Sequence, residues 1–213
     1  MSRQNQFTAA VRRLSWAHPE MKKIITRVGP CKLRRRRNYF PILVHAIFSQ
    51  QLSVRIADIL FKRFQKLFPR GRITPAGVIK LLGPGGDGER LRGCGLSRQK
   101  RAYVLDLARH FDRGEIPTRK FATMSDEQII ECLTQVNGIG RWTAEMFLIF
   151  VLNRPDLWPV DDLGLREGIK RLHKFGERPQ AKDCIAHGEC FKPYRSIATW
   201  YLWRSLSLPI KSK

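Results

Sequence analysis

The sequence predicts an all-α protein whose helices gather into two lobes flanking a cleft. Two observations carry that class. Apolar residues recur three and four positions apart through nearly the whole chain, while the period-two alternation of a half-buried strand is almost absent. The helical runs also open with residues whose side chains can accept from the unpaired amides of a helix start.

The elements follow in chain order. The basic, helix-leaning segment 1–37 is assigned to pack with the C-terminal lobe. Ile42, Leu43, Ala46 and Ile47 mark one helix, and Ile56, Ile59, Leu60 and Phe64 the next. Thr74 stands as N-cap before PAGVIKLL, with proline at the first helical position, where its missing N–H costs nothing. Ser97 caps RQKRAYVLDLARHF, in which Val104, Leu105, Ala108 and Phe111 repeat. Ser125 caps DEQIIECL, which has an acidic first turn and an apolar face of Ile129, Ile130, Leu133 and Val136. Glycine and proline mark loops at 68–72, 83–88, 113–118 and 153–162. The total is roughly ten helices, with 38–150 forming one lobe and 151–213 completing the other.

Forty Lys and Arg against 18 Asp and Glu give a formal charge of +22, more than solubility requires. Nucleic acid is the expected partner, ahead of an anionic membrane or a merely solvated basic surface. Within that charge, KLRRRR (32–37) and SRQKR (97–101) stand out, so Arg34, Arg35, Arg36, Arg37, Arg98 and Lys100 are phosphate-contact candidates, with solvated loop as the alternative. No apolar stretch reaches the ~18 residues of a membrane span. Five scattered cysteines without C-x-x-C spacing, and no signal-peptide pattern, lead to an expectation of reduced thiols in a cytoplasmic protein, nucleoid-associated or, in a eukaryote, nuclear.

The stretch VNGIGRWTAE (136–145) ends one helix near Val136 and begins another near Arg141. Gly138 and Gly140 can both take positive φ, Ile139 can pin the turn to the core, and backbone amides from Asn137 to Thr143 can face outward toward a phosphate. An ordinary αα-corner with a glycine cap is the rival reading.

L-x-x-V-N-G-I-G-R-W-T-A resembles the helix-hairpin-helix signature of DNA repair glycosylases, and WPVDDLGLREGI resembles that superfamily's Pro- and Asp-containing loop. FPILVHAIFSQQLSVRIADIL, LRGCGLSRQKRAYVLDLA and KPYRSIATWYLWRSL extend the likeness to the alkyl-purine branch, the compact 3-methyladenine DNA glycosylase II-like proteins, over about residues 38–207. Larger relatives carry an N-terminal β-domain, and a stripped-down version is expected here.

The resemblance implies a catalytic carboxylate at Asp162, with Asp161 as the alternative. A fixed carboxylate stabilises the oxocarbenium character that the sugar acquires as an N-glycosidic bond breaks. Both acids also suit a helix start. Lyase-type relatives place a Schiff-base lysine where this chain has Trp142, so a monofunctional hydrolase is expected. The implied base pocket holds Trp142 and Trp203, with Tyr39, Phe40 and Trp158 as weaker candidates; Met146 stands where some relatives have tyrosine. Electron-rich rings favour a cationic alkylated purine. SQQLS is similar to the segment that fills the gap left by an extruded base, through Gln51 or alternatively Leu52. Arg195 is read as holding the C-terminal helix against the carboxylate loop.

No cofactor is required by this reading. Cys184 and Cys190 are too few for an iron-sulfur cluster, and C-I-A-H-G-E-C, with His187, lacks a fourth zinc ligand. The resemblance does imply that hairpin carbonyls can hold a monovalent cation. The expected partner is duplex DNA containing alkylated bases, bound by a monomer. The alternative function is a non-catalytic, damage- or structure-specific DNA-binding protein; a glycosylase for oxidised or mismatched bases is a third, lacking an evident acid.

Overall fold

A computed structural model describes residues 3–87 and 90–209. Residues 1–2, 88–89 and 210–213 lie outside them, and with them the last residue of the predicted 83–88 loop and the extremes of both terminal segments. Among the described residues there are eleven α-helices and no strand. They are α1 (Arg3–Ala17), α2 (Pro19–Val28), α3 (Tyr39–Ser49), α4 (Val54–Gln65), α5 (Pro75–Leu82), α6 (Arg98–Asp112), α7 (Asp126–Thr134), α8 (Arg141–Phe147), α9 (Leu163–His173), α10 (Ala181–Glu189) and α11 (Arg195–Ser205). A π-helical stretch, Leu148–Leu152, follows α8 directly. The chain divides into two compact units, Met1–Arg35 with Leu148–Lys213, and Arg36–Phe147. The sequence reading draws these junctions after residues 37 and 150.

The first unit is built around α11, which packs on α1, α2 and α9. Every residue from Ser196 to Leu202 is buried, because α11 meets neighbours on all sides rather than presenting one apolar stripe. Arg195 at its start fastens the 153–162 loop. The guanidinium donates to both carboxylate oxygens of Asp156 at 2.9 and 3.0 Å, and the Leu157 amide donates to Ser196 Oγ at 2.9 Å. Trp158 anchors the same loop to α10 by donating Nε1–H to Cys184 O at 2.8 Å.

In the second unit α3 packs on α4 and α6, α5 on α6, and α7 on α8. The caps expected at Thr74, Ser97 and Ser125 are all formed, accepting from the amides of Gly77, Lys100 and Gln128 at 3.2 Å each. Ser125 makes a complete capping box, since its own amide donates back to Gln128 Oε1 at 2.8 Å. Two local readings need correction. Ile56 and Ile59 are 45% and 40% exposed, and α4 instead buries Ala57 and Phe64; α4 carries overlapping apolar stripes, and periodicity alone cannot say which one faces inward. The helix read as reaching Val136 ends at Thr134, two residues before the turn proper.

Ser125→Ala removes one half of the capping box and should cost about 1 kcal/mol, lowering the thermal midpoint by about 2–4 °C for a chain of this size. Differential scanning calorimetry checks it.

Candidate functional site

The glycine turn is shaped by its contact with α6. Gly138 takes φ +84°, a region that side chains rarely adopt, and a Cβ added there would overlap the Tyr103 ring. Gly140 lies outside that region, contrary to the expectation of two left-handed glycines, and a Cβ on it would meet nothing within 4 Å. Ile139, 3% exposed, is buried in the core. Asn137 is exposed, and its amide and its Nδ2 both donate to Asp106 Oδ2 at 2.9 Å. The amides of Gly138 and Gly140 have no acceptor among the described residues. Gly138 O accepts from Gln50 Nε2 at 2.6 Å.

Beyond the turn, Arg141 forks onto both oxygens of Glu127 at 2.7 and 2.8 Å and reaches Glu145 at 3.3 Å. These carboxylates raise its pKa and Arg141 lowers that of Glu127, so the guanidinium ties α8 to α7 and is not a free phosphate ligand. Trp142 is 51% exposed; Thr143 and Met146 are half-buried.

Between α3 and α4 the chain makes an exposed turn. Gln51 adopts φ +57°, an uncommon conformation for a residue with a side chain. Gln51 and Leu52 both face solvent, followed by Val54 at 76% exposure. Lys100 belongs to this turn and is not a solvent-facing cation. Its Nζ donates to Phe48 O and Gln50 O at 2.7 Å each, and burial lowers its pKa. Arg34, Arg35, Arg36, Arg37 and Arg98 are exposed and make no ion pair among the described residues.

In the other unit Asp162 is the N-cap of α9. Its Oδ1 accepts from the Leu165 amide at 2.6 Å and from Trp203 Nε1 at 2.7 Å. The Trp203 ring is stacked on Phe150, with centroids 5.4 Å apart and planes at 17°. Gly164 makes this geometry feasible, because a Cβ there would sit 3.0 Å from both Asp162 Oδ1 and Trp203 Cδ1. Asp162 is half-buried, whereas Asp161 is exposed.

The family model for HhH-GPD superfamily base excision DNA repair proteins matches residues 44–193. The chain belongs to that superfamily. DNA-3-methyladenine glycosylase 1 of Schizosaccharomyces pombe is 36% identical over 205 residues, 94% of this chain and 88% of the relative. The alkylbase DNA glycosidase-like protein mag2 of the same yeast is 30% identical, with 96% of each chain covered. Among solved structures, S. pombe 3-methyladenine DNA glycosylase Mag1 in complex with abasic DNA matches with a TM-score of 0.80, over 96% of this chain and 100% of that one.

In this HhH-GPD chain the other candidate side chains lie in varied surroundings. Phe40 is 5% exposed and packs edge-on to Phe111, in the hydrophobic core rather than on a pocket wall, while Tyr39 is half-buried and packs against Phe121 and Phe147. Trp158 is held by α10, as described above. Cys184 is buried and Cys190 exposed, and among the described residues no group of three or more His, Cys, Asp or Glu side chains is arranged to hold a metal ion. Sequence reasoning missed Gln50, Tyr103, Asp106, Phe150 and Gly164. Only Gly164 left a signal: a glycine in the first turn of a helix has no local use and points to a close approach.

The two hairpin glycines should respond differently to alanine. Gly138→Ala should destabilise by about 1–3 kcal/mol, through left-handed strain and the clash with Tyr103. Gly140→Ala should stay within about 0.5 kcal/mol of the parent. Urea unfolding distinguishes them.

Proposed function

We propose that this protein is a monofunctional DNA glycosylase that removes alkylated purines from duplex DNA, acting as a monomer. The observation that carries the reading is the fixed carboxylate of Asp162, held by an amide of its own helix and by the Trp203 indole, in a chain similar along almost its whole length to 3-methyladenine glycosylases. Two hydrogen bonds to one oxygen set the orientation of the charge before substrate arrives, which is what electrostatic stabilisation of a transition state needs.

Alkylation at N3 or N7 makes the purine cationic. The glycosidic electron pair then leaves with the base and neutralises it, so no strong acid is required. Asp162 stabilises the positive charge left on the sugar, and water adds at C1′ and gives up its proton to that carboxylate, leaving an intact abasic site. Trp142, in the place of a lyase lysine, has no amine to form a Schiff base. Trp142, exposed in its unit, and Trp203, in the other, are each an electron-rich ring of the kind that stacks on a cationic base, an attraction of about 0.5–2 kcal/mol. Gln51 and Leu52, presented on a left-handed turn, are the groups to fill the vacated stack. The Gly138 and Gly140 amides serve a phosphate oxygen, and the open space over Gly140 leaves room for a backbone to approach.

A monovalent cation at the hairpin would share carbonyls already in use. Gly138 O holds Gln50 and Val136 O holds the Ile139 amide, leaving each one lone pair for an ion that would draw a phosphate oxygen toward the turn.

The test is release of methylated purines from duplex DNA by the wild type and by Asp162→Asn. Asparagine is an equally good N-cap and can keep both hydrogen bonds, so the thermal midpoint should hold while the single-turnover rate falls about 10²–10³-fold. Unchanged release by the variant would exclude the carboxylate mechanism. Gly140→Ala should weaken duplex binding despite its intact fold, measured by fluorescence anisotropy.

A further inference from the structure

The unpaired carbonyls at the end of a helix need donors, and a cation is the strongest one available. α3 has no basic residue in its last turn. The cation comes instead from α6, where Lys100 donates to Phe48 O and Gln50 O. Directly after those carbonyls the backbone turns left-handed at Gln51. The Gln50 side chain, leaving from the clamped segment, donates to Gly138 O of the hairpin. α6 itself touches that hairpin twice, through the Tyr103 ring against Gly138 and through Asp106 beneath Asn137. Lys100, Tyr103 and Asp106 stand three residues apart, along one side of the helix.

One face of α6 therefore holds both the exposed Gln51–Leu52 turn and the phosphate-facing hairpin. We propose that Lys100 is a positioning residue for base extrusion, which makes no contact with DNA but keeps the inserting turn in register with the hairpin that holds the strand. The withdrawal of its ammonium from solvent, seen in its lowered pKa, agrees with a structural clamp and not with a phosphate ligand. The inference rests on the glycosylase reading for its activity readout, and on geometry alone for the rest.

The experiment compares the full-length wild type with Lys100→Met and Lys100→Arg on duplex DNA carrying 7-methylguanine beside 2-aminopurine. In Lys100→Met the stopped-flow 2-aminopurine signal for unstacking and the single-turnover excision rate should slow together, by about 10–100-fold for a small misplacement. Duplex affinity and its salt dependence should not change. Lys100→Arg should restore most of both rates, since a guanidinium can also serve two carbonyls. A fall of about 0.9 in the slope of log affinity against log salt would instead identify a phosphate contact and overturn the proposal; so would wild-type unstacking in Lys100→Met. If Lys100→Met does not fold, Lys100→Gln, which keeps one amide donor, is read by the same criteria. Should the wild type extrude the base without releasing it, the glycosylase reading fails while the 2-aminopurine comparison still decides the role of Lys100.

Discussion

A helix leaves amides without acceptors at its start and carbonyls without donors at its end, and in each unit of this protein the candidate residues stand at such ends. The hairpin leads into the start of α8, Asp162 caps the start of α9, and the Gln51–Leu52 turn leaves the end of α3. The start of α9 and the end of α3 are each completed by a group that also orients them. At α9 the capping side chain is the carboxylate itself, so the bond that finishes the helix fixes the direction of the charge. Trp203 adds a second donor to the same oxygen, and Phe150 holds the ring that supplies it.

At the end of α3 the polarity is reversed. Carbonyls gather there, and Lys100 answers them from a helix fifty residues further along the chain. That lysine illustrates how a charge count misleads about individual residues. The excess of 40 basic over 18 acidic groups describes the molecule's field, which draws a polyanion from a distance. It does not say which cations are free to meet one. Lys100 and Arg141 are held by acceptors within the protein, whereas Arg34, Arg35, Arg36, Arg37 and Arg98 extend into solvent.

The hairpin glycines separate two reasons for the same residue. Gly138 is required by the fold, through a left-handed backbone and the Tyr103 ring lying against it. At Gly140 a Cβ would meet nothing within 4 Å, so packing inside the chain gives no reason for glycine there. Such an uncommitted glycine beside an unpaired amide is a stronger mark of a binding surface than the pair of glycines is as a pattern.

The features legible in the sequence are those decided within one or two turns of chain. The all-helical class, the caps at Thr74, Ser97 and Ser125, the turn pinned by Ile139 and the acid at the start of α9 follow from neighbours in sequence, whose geometry any helix imposes. Tertiary structure alone decided how each helix is rotated about its axis. That rotation exposes Ile56 while burying Ala57, puts Phe40 into the core, turns Lys100 from solvent onto the carbonyls of α3 and Asp106 onto Asn137. The physical reason is that a helix with several apolar stripes is satisfied locally in any rotation, and only the packing of partners distant in sequence selects one.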